Sequence, residues 1–243
     1  MRAAIISDVH SNLAALETVL SIIEAEQVDE LWCLGDLVGY GADPERCVEI
    51  LMDRCDVTLA GNHDLVVAGA IDMSVFTHDA GTAARWTAKV LSETAMEQLK
   101  TLLPFGERNE VELYHASIRD PIWEYVVDPG TAAACLALQT HNLALIGHSH
   151  VPLVYAMAQG EMLLAGYAEE GTLEMVEGTR YLINPGSVGQ PRDGDPRAAY
   201  LVLDFDRRTA TWRRIGYDIA AAQQAIIEAG LPRSLATRLS DGR

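Results

Sequence analysis

The stretch RAAIISDVHSNLAALETVLSIIEAEQVDELWCLGD, residues 2–36, decides the architecture of the chain. It begins with a short apolar run, typical of a buried strand, that ends at Asp8. From Ser11 to about Glu26, leucine, valine and isoleucine recur at helical spacing. A second apolar run, DELWCLGD, follows and again ends in an aspartate, Asp36. This order predicts two neighbouring parallel strands joined by a crossover helix.

The alternation of strands and helices continues along the chain. A helix opened by Pro44 and a third strand, DVTLAGNH, complete a βαβαβ unit and predict a parallel core sheet. The stretch from Leu65 to Leu103 is predicted to be mostly helical, with residues 80–91 and 93–103 as its clearest helices. Two further strands, NEVELYHAS and NLALIGHSH, are separated by a predicted helix over about residues 129–139.

Beyond Val151 the pattern changes to short strands separated by glycines, which predicts antiparallel hairpins and meanders. A last helix over about residues 219–228 is expected to end at Gly230 and Pro232. No low-complexity linker divides the sequence, so we expect one α/β domain over residues 1–243 with two packed sheets.

The charge balance narrows the class of partner. Asp and Glu number 35 against 18 Lys and Arg, which gives a formal net charge of −17. Because nucleic acids and anionic membranes attract basic surfaces, we expect neither as a primary partner. No apolar run approaches the roughly 20 residues of a membrane span. MRAAIISDVH lacks the apolar core of a secretory signal and the four cysteines form no CxxC pair, so the sequence predicts a cytoplasmic protein with reduced thiols.

Side chains that commonly bind metals follow the predicted strands at the points where they end. The segments are Asp8-Val9-His10, Gly35-Asp36, Gly61-Asn62-His63-Asp64 and Gly147-His148-Ser149-His150, and a fifth strand ends at His115. In open α/β sheets, ligands bind at the carboxyl ends of the strands. Because residues i and i+2 of an extended chain point the same way, Asp8 with His10 and His148 with His150 form two candidate bidentate pairs.

The ligand types indicate the kind of metal. Five of the seven histidines lie at these strand ends, together with two aspartates and an asparagine. Imidazole, carboxylate and amide oxygen together suit divalent Mn, Fe, Zn, Ni or Co, and they do not fit a cysteine-based structural zinc site. Seven ligands from this set of eight would be too many for one ion and would suit two ions that share a bridging carboxylate.

The blocks DVH, GDLVGYG, GNHD and GHSH, in this order and with these gaps, resemble the calcineurin-like metallophosphoesterase superfamily. The resemblance covers Asp8 to about Asp193. It is closest to small bacterial and archaeal members, some of which are grouped with diadenosine tetraphosphatases and Ser/Thr phosphatases. It implies a four-layer α/β/β/α sandwich of two mixed sheets flanked by helices. One block departs from the family pattern, because His115 follows Tyr114 where the family usually has glycine.

The resemblance also implies a role for each block residue. The implied metal ligands are Asp8, His10 and His150 for a first ion, Asn62, His115 and His148 for a second, and Asp36 as the bridge. His63 matches the catalytic histidine that is not a ligand, and Asp64 would be its orienting partner. A hydroxide that bridges two divalent ions, with Mn favoured for activity, would attack a phosphate mono- or diester while His63 protonates the leaving alkoxide.

Two arginines are candidates for binding the phosphate. Arg192 lies in the loop NPGSVGQPRDGDP, and similar loops of the family lie near the metal site. Arg119 follows His115 by four residues. We also expect the helical segment 65–107 to form part of the active-site wall. The expected partner is a small phosphate-ester substrate, and the sequence leaves the oligomeric state open.

Three functions remain open at this stage. The first is a metal-dependent phosphoesterase that acts on small phosphodiesters, nucleotides or phosphomonoesters. The second is a protein Ser/Thr phosphatase or a dinucleoside-polyphosphate hydrolase, and the third is a catalytically silent scaffold on the same fold. A scaffold need not keep His63 or every ligand, whereas here each position is filled, which favours an enzyme.

Overall fold

Twelve strands in two sheets, covered by eight α-helices, make up the computed structural model, which describes residues 1–243. The strands are β1 (Arg2–Ile6), β2 (Glu30–Cys33), β3 (Val57–Thr58), β4 (Phe105–Arg108), β5 (Val111–Tyr114), β6 (Leu143–Leu145), β7 (Pro152–Ala158), β8 (Glu161–Tyr167), β9 (Gly171–Glu174), β10 (Arg180–Pro185), β11 (Ala198–Asp204) and β12 (Thr209–Ile215). The helices are α1 (Leu13–Ala25), α2 (Pro44–Arg54), α3 (Asn62–Val67), α4 (His78–Val90), α5 (Glu93–Thr101), α6 (Pro129–Leu138), α7 (Ile219–Glu228) and α8 (Arg233–Asp241). No helix combines the length and the apolar character that a membrane span requires.

Each sheet mixes parallel and antiparallel strands. The first has the order β3-β2-β1-β11-β12-β9, in which β1, β2 and β3 are parallel, as the βαβαβ rhythm predicts. The second has the order β4-β5-β6-β10-β7-β8, in which β5, β6 and β10 are parallel. The predicted α/β class with two mixed sheets flanked by helices is therefore confirmed.

The alternation along β1 explains the layering. Ala3 and Ile5 belong to the apolar cluster between the two sheets, whereas Ala4 and Ile6 belong to the cluster beneath α1 and α2. Because successive side chains of a strand point to opposite faces, a continuous apolar run produces a strand that is buried on both sides. This arrangement places the end of β1, and the loop that follows it, at the centre of the molecule.

Beyond Val151 the predicted antiparallel hairpins are present, since β7 pairs with β8 and β11 with β12. The strands of this region form no sheet of their own: three join each sheet, and β10 runs parallel to β6. The hairpin of β4 and β5 was absent from the prediction. Its turn residues Asn109 and Glu110 both have left-handed φ, 52° and 61°, as tight hairpin turns require, but the pair lacks the glycine that normally marks them.

The C-terminal end also differs from the prediction. Helix α7 covers residues 219–228 as predicted, but Pro232 directly precedes a further helix, α8, which the sequence pattern does not predict. Proline at the start of a helix costs no hydrogen bond, because the first N–H groups have no partner within the helix. Helix α8 packs on α7 through Leu235 and Leu239 against Ala222 and Ile226.

Candidate metal centre

The loops that follow β1, β2 and β6 converge at the carboxyl ends of their strands, and their backbone is unusual. Asp8, His10, Asp36, His148 and His150 all have left-handed φ, between 49° and 62°. This conformation is uncommon without glycine, is several-fold enriched in Asp and His, and concentrates at functional sites. The expectation of an extended chain at these positions is therefore wrong.

Six of the predicted ligands form two clusters in which the potential ligand atoms lie within 4.8 Å of one another. The first cluster contains Asp8, His10, Asp36 and His150, and the second contains Asp36, His115 and His148. Asp8 and His10 lie in the same cluster, although not through the extended chain from which their pairing is predicted. His148 and His150 lie in different clusters.

Asp36 lies between the two clusters. Its Oδ2 is 3.4 Å from Nε2 of His10 and 3.6 Å from Nε2 of His115. Its Oδ1 accepts a hydrogen bond of 2.8 Å from the N–H of His63. The seventh predicted ligand, Asn62, joins the second cluster, since its Oδ1 is 3.2 Å from His115 Nε2. One carboxylate oxygen thus faces an imidazole from each cluster.

Backbone carbonyls set the tautomers of three histidines. Nδ1 of His10 lies 3.0 Å from the oxygen of Val38, Nδ1 of His115 lies 2.9 Å from that of Leu34, and Nδ1 of His150 lies 2.6 Å from that of Gln190. A carbonyl can only accept, so each Nδ1 carries the proton and each Nε2 keeps a free lone pair. Such an outer hydrogen bond is the usual arrangement of metal-binding histidines.

The donor atoms fit divalent ions. The Nε2 atoms of His10 and His150 are only 3.0 Å apart, so two lone pairs face each other, an arrangement that a shared cation stabilises. Oδ1 of Asp8 and Nε2 of His148 are buried with no hydrogen-bond partner. Buried polar atoms normally have partners, and metal ligation would provide them here.

The pKa shifts of the buried candidate ligands also favour metal binding. Burial raises the pKa of Asp8 to about 7 and lowers that of His148 to about 2. Burial also lowers the pKa of His10 and His150 and raises that of Asp36, where the neighbouring charge of Asp64 adds to the effect. Neutral imidazoles are the form that binds metals, and buried carboxylates without a cation are disfavoured, so divalent ions would compensate both.

His63 lies beside the clusters and belongs to neither. Its ring centre is 4.4 Å from that of Tyr40 and 4.5 Å from that of Phe76. Its Nδ1 is buried and has no hydrogen-bond partner, and burial holds the pKa of the imidazole well below its ordinary value. Packing therefore orients the ring, and its Nδ1 has no partner within the protein.

Asp64 does not orient His63, and this prediction from the resemblance is corrected. Its carboxylate accepts three backbone hydrogen bonds, from Gly61 at 2.8 Å, Val38 at 3.0 Å and Leu37 at 3.1 Å. Asp64 thus caps the start of α3 and fixes the loop after β2, which carries Asp36. Its effect on His63 passes through the backbone.

Two glycines of the motifs are required by close approach. A Cβ on Gly39, whose φ is +93°, would lie 2.9 Å from Cγ of His63. A Cβ on Gly61 would collide with the carboxylate of Asp36. Gly39 and Gly61 therefore let their loops pack directly against the side chains of His63 and Asp36.

A cavity of about 140 Å³ opens beside these residues. Its wall includes Asp36, Asn62, His63, His148, His150, Tyr40, Trp123, Tyr125 and Arg192, and the segment 65–107 contributes Val75, Phe76, Thr77 and Ala80. The ring of Tyr125 lies 4.1 Å from that of His148. Sequence reasoning missed Tyr125, because nothing in the pattern WEYV distinguishes it from a packing residue.

Only one of the two candidate phosphate-binding arginines lies at the cavity. Arg192 lines the cavity, donates to Oε1 of Gln190 at 2.9 Å and has no carboxylate partner. Arg119 is half exposed and forms an ion pair of 3.3 Å with Glu124, away from the cavity. The turn at residues 117–120, closed by the bond from Ser117 N to Asp120 O, carries Arg119 away, so proximity to His115 in sequence was not a reliable guide.

Comparisons with known proteins agree with this geometry. The family model of the calcineurin-like phosphoesterase superfamily domain matches residues 1–208. An uncharacterized protein of Methanocaldococcus jannaschii is 38% identical over 245 residues, which cover 99% of this chain and 98% of that protein.

Solved structures also match the fold. A metallophosphoesterase from Sphaerobacter thermophilus is 40% identical and superposes with a TM-score of 0.89 over 100% of this chain and 99% of that chain. A protein from Pyrococcus horikoshii OT3 is 17% identical, with a TM-score of 0.83 over 100% and 98% of the two chains, and supports the fold alone.

Proposed function

The chain belongs to the calcineurin-like phosphoesterase superfamily, and on that premise we propose that it hydrolyses phosphate mono- or diesters with the help of two divalent metal ions. The observation that carries the proposal is the position of Asp36, whose Oδ2 lies 3.4 Å and 3.6 Å from the Nε2 atoms of His10 and His115. A carboxylate between two imidazole clusters is the arrangement that a pair of ions with one bridging ligand requires.

The seven side chains divide between the two ions according to the clusters. Asp8, His10 and His150 would hold the first ion, Asn62, His115 and His148 the second, and Asp36 both. When bound, such ions act as Lewis acids that stabilise phosphoryl oxygens and lower the pKa of water. The mixed nitrogen and oxygen donors suit divalent Mn, Fe, Zn, Ni or Co, and of these we propose manganese as the activating ion.

His63 supplies the proton chemistry. Its ring lines the cavity and is held between Tyr40 and Phe76, so a substrate oxygen in the cavity meets a pre-oriented imidazole. Burial disfavours the protonated form of His63, so in this proposal the negative charge of a bound phosphate offsets that effect. A protonated His63 can then donate to the leaving oxygen, and general acids of this kind contribute about 10²–10⁴-fold to the rate. Its reach into the cavity depends on packing because its side chain makes no hydrogen bond to Asp64.

Arg192 binds the phosphoryl oxygens in this proposal. Its guanidinium lines the same cavity and lacks a carboxylate partner, and its Nε is buried without a hydrogen bond. Arginine binds phosphate with two parallel charge-assisted hydrogen bonds. Arg119, paired with Glu124, has no place in this step.

The charge of the chain supports small substrates. At −17 the surface repels long polyanions, whereas two divalent ions make the pocket itself locally positive. We therefore favour nucleotides and small phosphate esters over nucleic acids, with neither a nucleic acid nor a membrane as the main partner.

A substrate panel tests the function. Protein reconstituted with Mn²⁺ is assayed with p-nitrophenyl phosphate, bis-p-nitrophenyl phosphate, nucleotides, a phosphoserine peptide and a dinucleoside polyphosphate. We expect turnover of small mono- or diesters above that of the peptide, and turnover should vanish with a chelator and return with Mn²⁺. The variant His141→Ala is the matched control, because His141 pairs with Glu107 at 3.2 Å and lies outside the centre.

The panel also separates the alternatives. Preference for the phosphoserine peptide would replace the proposal with a protein phosphatase. Binding of two metals per chain with no turnover of any ester would identify a scaffold and overturn the proposed hydrolysis.

A further inference from the structure

The C-terminal helices reach the metal centre from outside the matched family domain. Helices α7 and α8 follow residue 208, where the match to the family model ends. They nevertheless line, with Ala222 and Leu239, a cavity of about 200 Å³ whose other walls include His10 and Tyr40. Side chains of α8 can therefore influence what binds beside the centre.

Tyr40 is the contact point between the centre and α8. Its ring centre lies 4.4 Å from that of His63 and 4.7 Å from that of His10. The Cζ atoms of Arg192 and Arg238 each lie 5.8 Å from the centre of the same ring. Two guanidinium groups thus flank one aromatic ring, which itself contacts the catalytic histidine of the proposed reaction.

These two arginines differ from every other basic side chain. Neither has a carboxylate within 4.0 Å, and the side chain of Arg238 donates no hydrogen bond. Both are partly shielded from solvent. The remaining basic side chains either form ion pairs or are exposed, and the exposed unpaired ones are Arg85, Lys89, Arg180, Arg233 and Arg243.

The ring of Tyr40 stabilises each guanidinium in part, but two partly shielded like charges still repel each other, and an anion that contacts both would offset that cost. Burial, and then the charge of Arg192, lowers the pKa of the Arg238 guanidinium. Asp79 is the carboxylate whose charge acts on Arg238, but it lies beyond ion-pair distance and already accepts a hydrogen bond from Ser234. The two guanidinium groups therefore lack a negatively charged partner, which a ligand could supply.

We propose that Arg238 and Arg192 form a two-part anion site and that the substrate therefore carries a second phosphoryl group next to the one that reacts. This inference rests on the proposed phosphoesterase function and names its substrate class, a nucleoside diphosphate or similar diphosphate. Arg192 lines the cavity of about 140 Å³ beside His63, which we call the reacting cavity, so it takes the terminal phosphoryl group. Arg238 lies on Tyr40 outside that cavity and takes the phosphoryl group of the leaving part.

The reaction on adenosine diphosphate balances without any further reactant. The oxygen of a water molecule forms a bond to the terminal phosphorus, and the bond from that phosphorus to the bridging oxygen breaks. The bridging oxygen leaves with the electron pair on adenosine monophosphate. One proton of the water stays on the product phosphate and the other is released to solvent at neutral pH.

The test compares adenosine diphosphate with adenosine monophosphate, which share base and ribose. KM and kcat are measured with excess Mn²⁺ for the wild type, Arg238→Gln, Arg238→Lys and Arg233→Gln. Loss of a charge-assisted pair should lower kcat/KM for the diphosphate by about tenfold or more, mainly through KM, with a much smaller loss for the monophosphate. Arg238→Lys should restore part of the difference, and Arg233→Gln, an exposed change on the same helix, should leave the ratio unchanged.

Equal losses on both nucleotides, or an equal effect of Arg233→Gln, would overturn the inference while the proposed function stands. If no ester is hydrolysed at all, the proposed function fails instead. The subsite is then tested alone by calorimetric binding of α,β-methylene-adenosine diphosphate to the Mn²⁺-loaded protein. Weakening of that binding by Arg238→Gln but not by Arg233→Gln supports the subsite, and equal binding by all three proteins rejects it.

Discussion

The two ligand clusters share Asp36 but differ in charge and in access. The first adds a second carboxylate, Asp8, and of the three residues that belong to it alone only His150 lines the cavity beside His63, whereas Asp8 and His10 do not. The second adds the neutral amide of Asn62, which lines the cavity together with His148. Because carboxylate ligands attract a divalent ion more strongly than an amide oxygen, the first cluster would hold its ion more tightly in the proposed reaction, and the second would leave its ion more open to substrate.

Replacement of the shared ligand should have the largest effect. Asp36→Asn removes the only charge common to both clusters, so we expect loss of metal from both and a fall in kcat/KM of about 10³-fold or more. Elemental analysis of the reconstituted variant, beside rate measurements, checks this. Full occupancy by two ions with the wild-type rate would show that Asp36 does not bridge.

A change at His63 should instead leave both clusters intact. His63→Ala should retain two metals and lose about 10²-fold in rate for esters with poor leaving groups, because the proton donor is gone. With p-nitrophenolate, which leaves without much protonation, the loss should be smaller. Comparable losses for alkyl and p-nitrophenyl esters would rule out His63 as the donor.

The fold of the first 60 residues and the convergence of the predicted ligands could be predicted because both rest on local patterns. The apolar periodicity from Arg2 to Cys33 specifies β1, α1 and β2, and the rule that ligands collect at strand ends picks out Asp8, His10 and Asp36. These predictions need no knowledge of distant contacts.

The division of His148 and His150 between the clusters could not be predicted from spacing. It depends on tertiary contacts, such as that of His150 Nδ1 with the carbonyl of Gln190, which no local spacing rule contains. The partners of Asp64 are backbone N–H groups, which have no sequence signature. Pro232 suits both the end and the start of a helix, so α8 and Arg238 escaped detection.

The difference between the clusters should appear in metal titrations as a moderate difference between the two Mn²⁺ affinities. Asn62→Ala should weaken the second Mn²⁺ by about tenfold or more and leave the first unchanged, whereas Asn62→Asp should bring the two affinities closer. Calorimetry of the metal-free protein measures both constants. His141→Ala is the control, and equal weakening of both ions by Asn62→Ala would remove the distinction between the clusters.

The smallest expected effect is a pH dependence that acts through the first cluster. Burial raises the pKa of Asp8 to about 7 in the metal-free folded protein, above its ordinary value near 4. Below pH 7 this carboxyl is therefore mostly protonated, and Mn²⁺ must displace the proton, so the rise in Tm on adding Mn²⁺ should be smaller at pH 6 than at pH 8.

For the metal-free protein, the effect of Asp8 on stability changes with pH in the opposite direction. A folded-state pKa above the unfolded one means that the folded state binds more protons between about pH 4 and 7, so Asp8 lowers the free energy of unfolding as pH rises through this window. His148, with a pKa lowered to about 2, acts in the other direction, but its contribution is nearly complete by about pH 7. Measurements of Tm at pH 6, 7 and 8 with and without Mn²⁺ separate the two terms. A rise in Tm on adding Mn²⁺ that is equal at pH 6 and pH 8 would show that Asp8 is ionised throughout and that the first cluster carries its charge before metal binds.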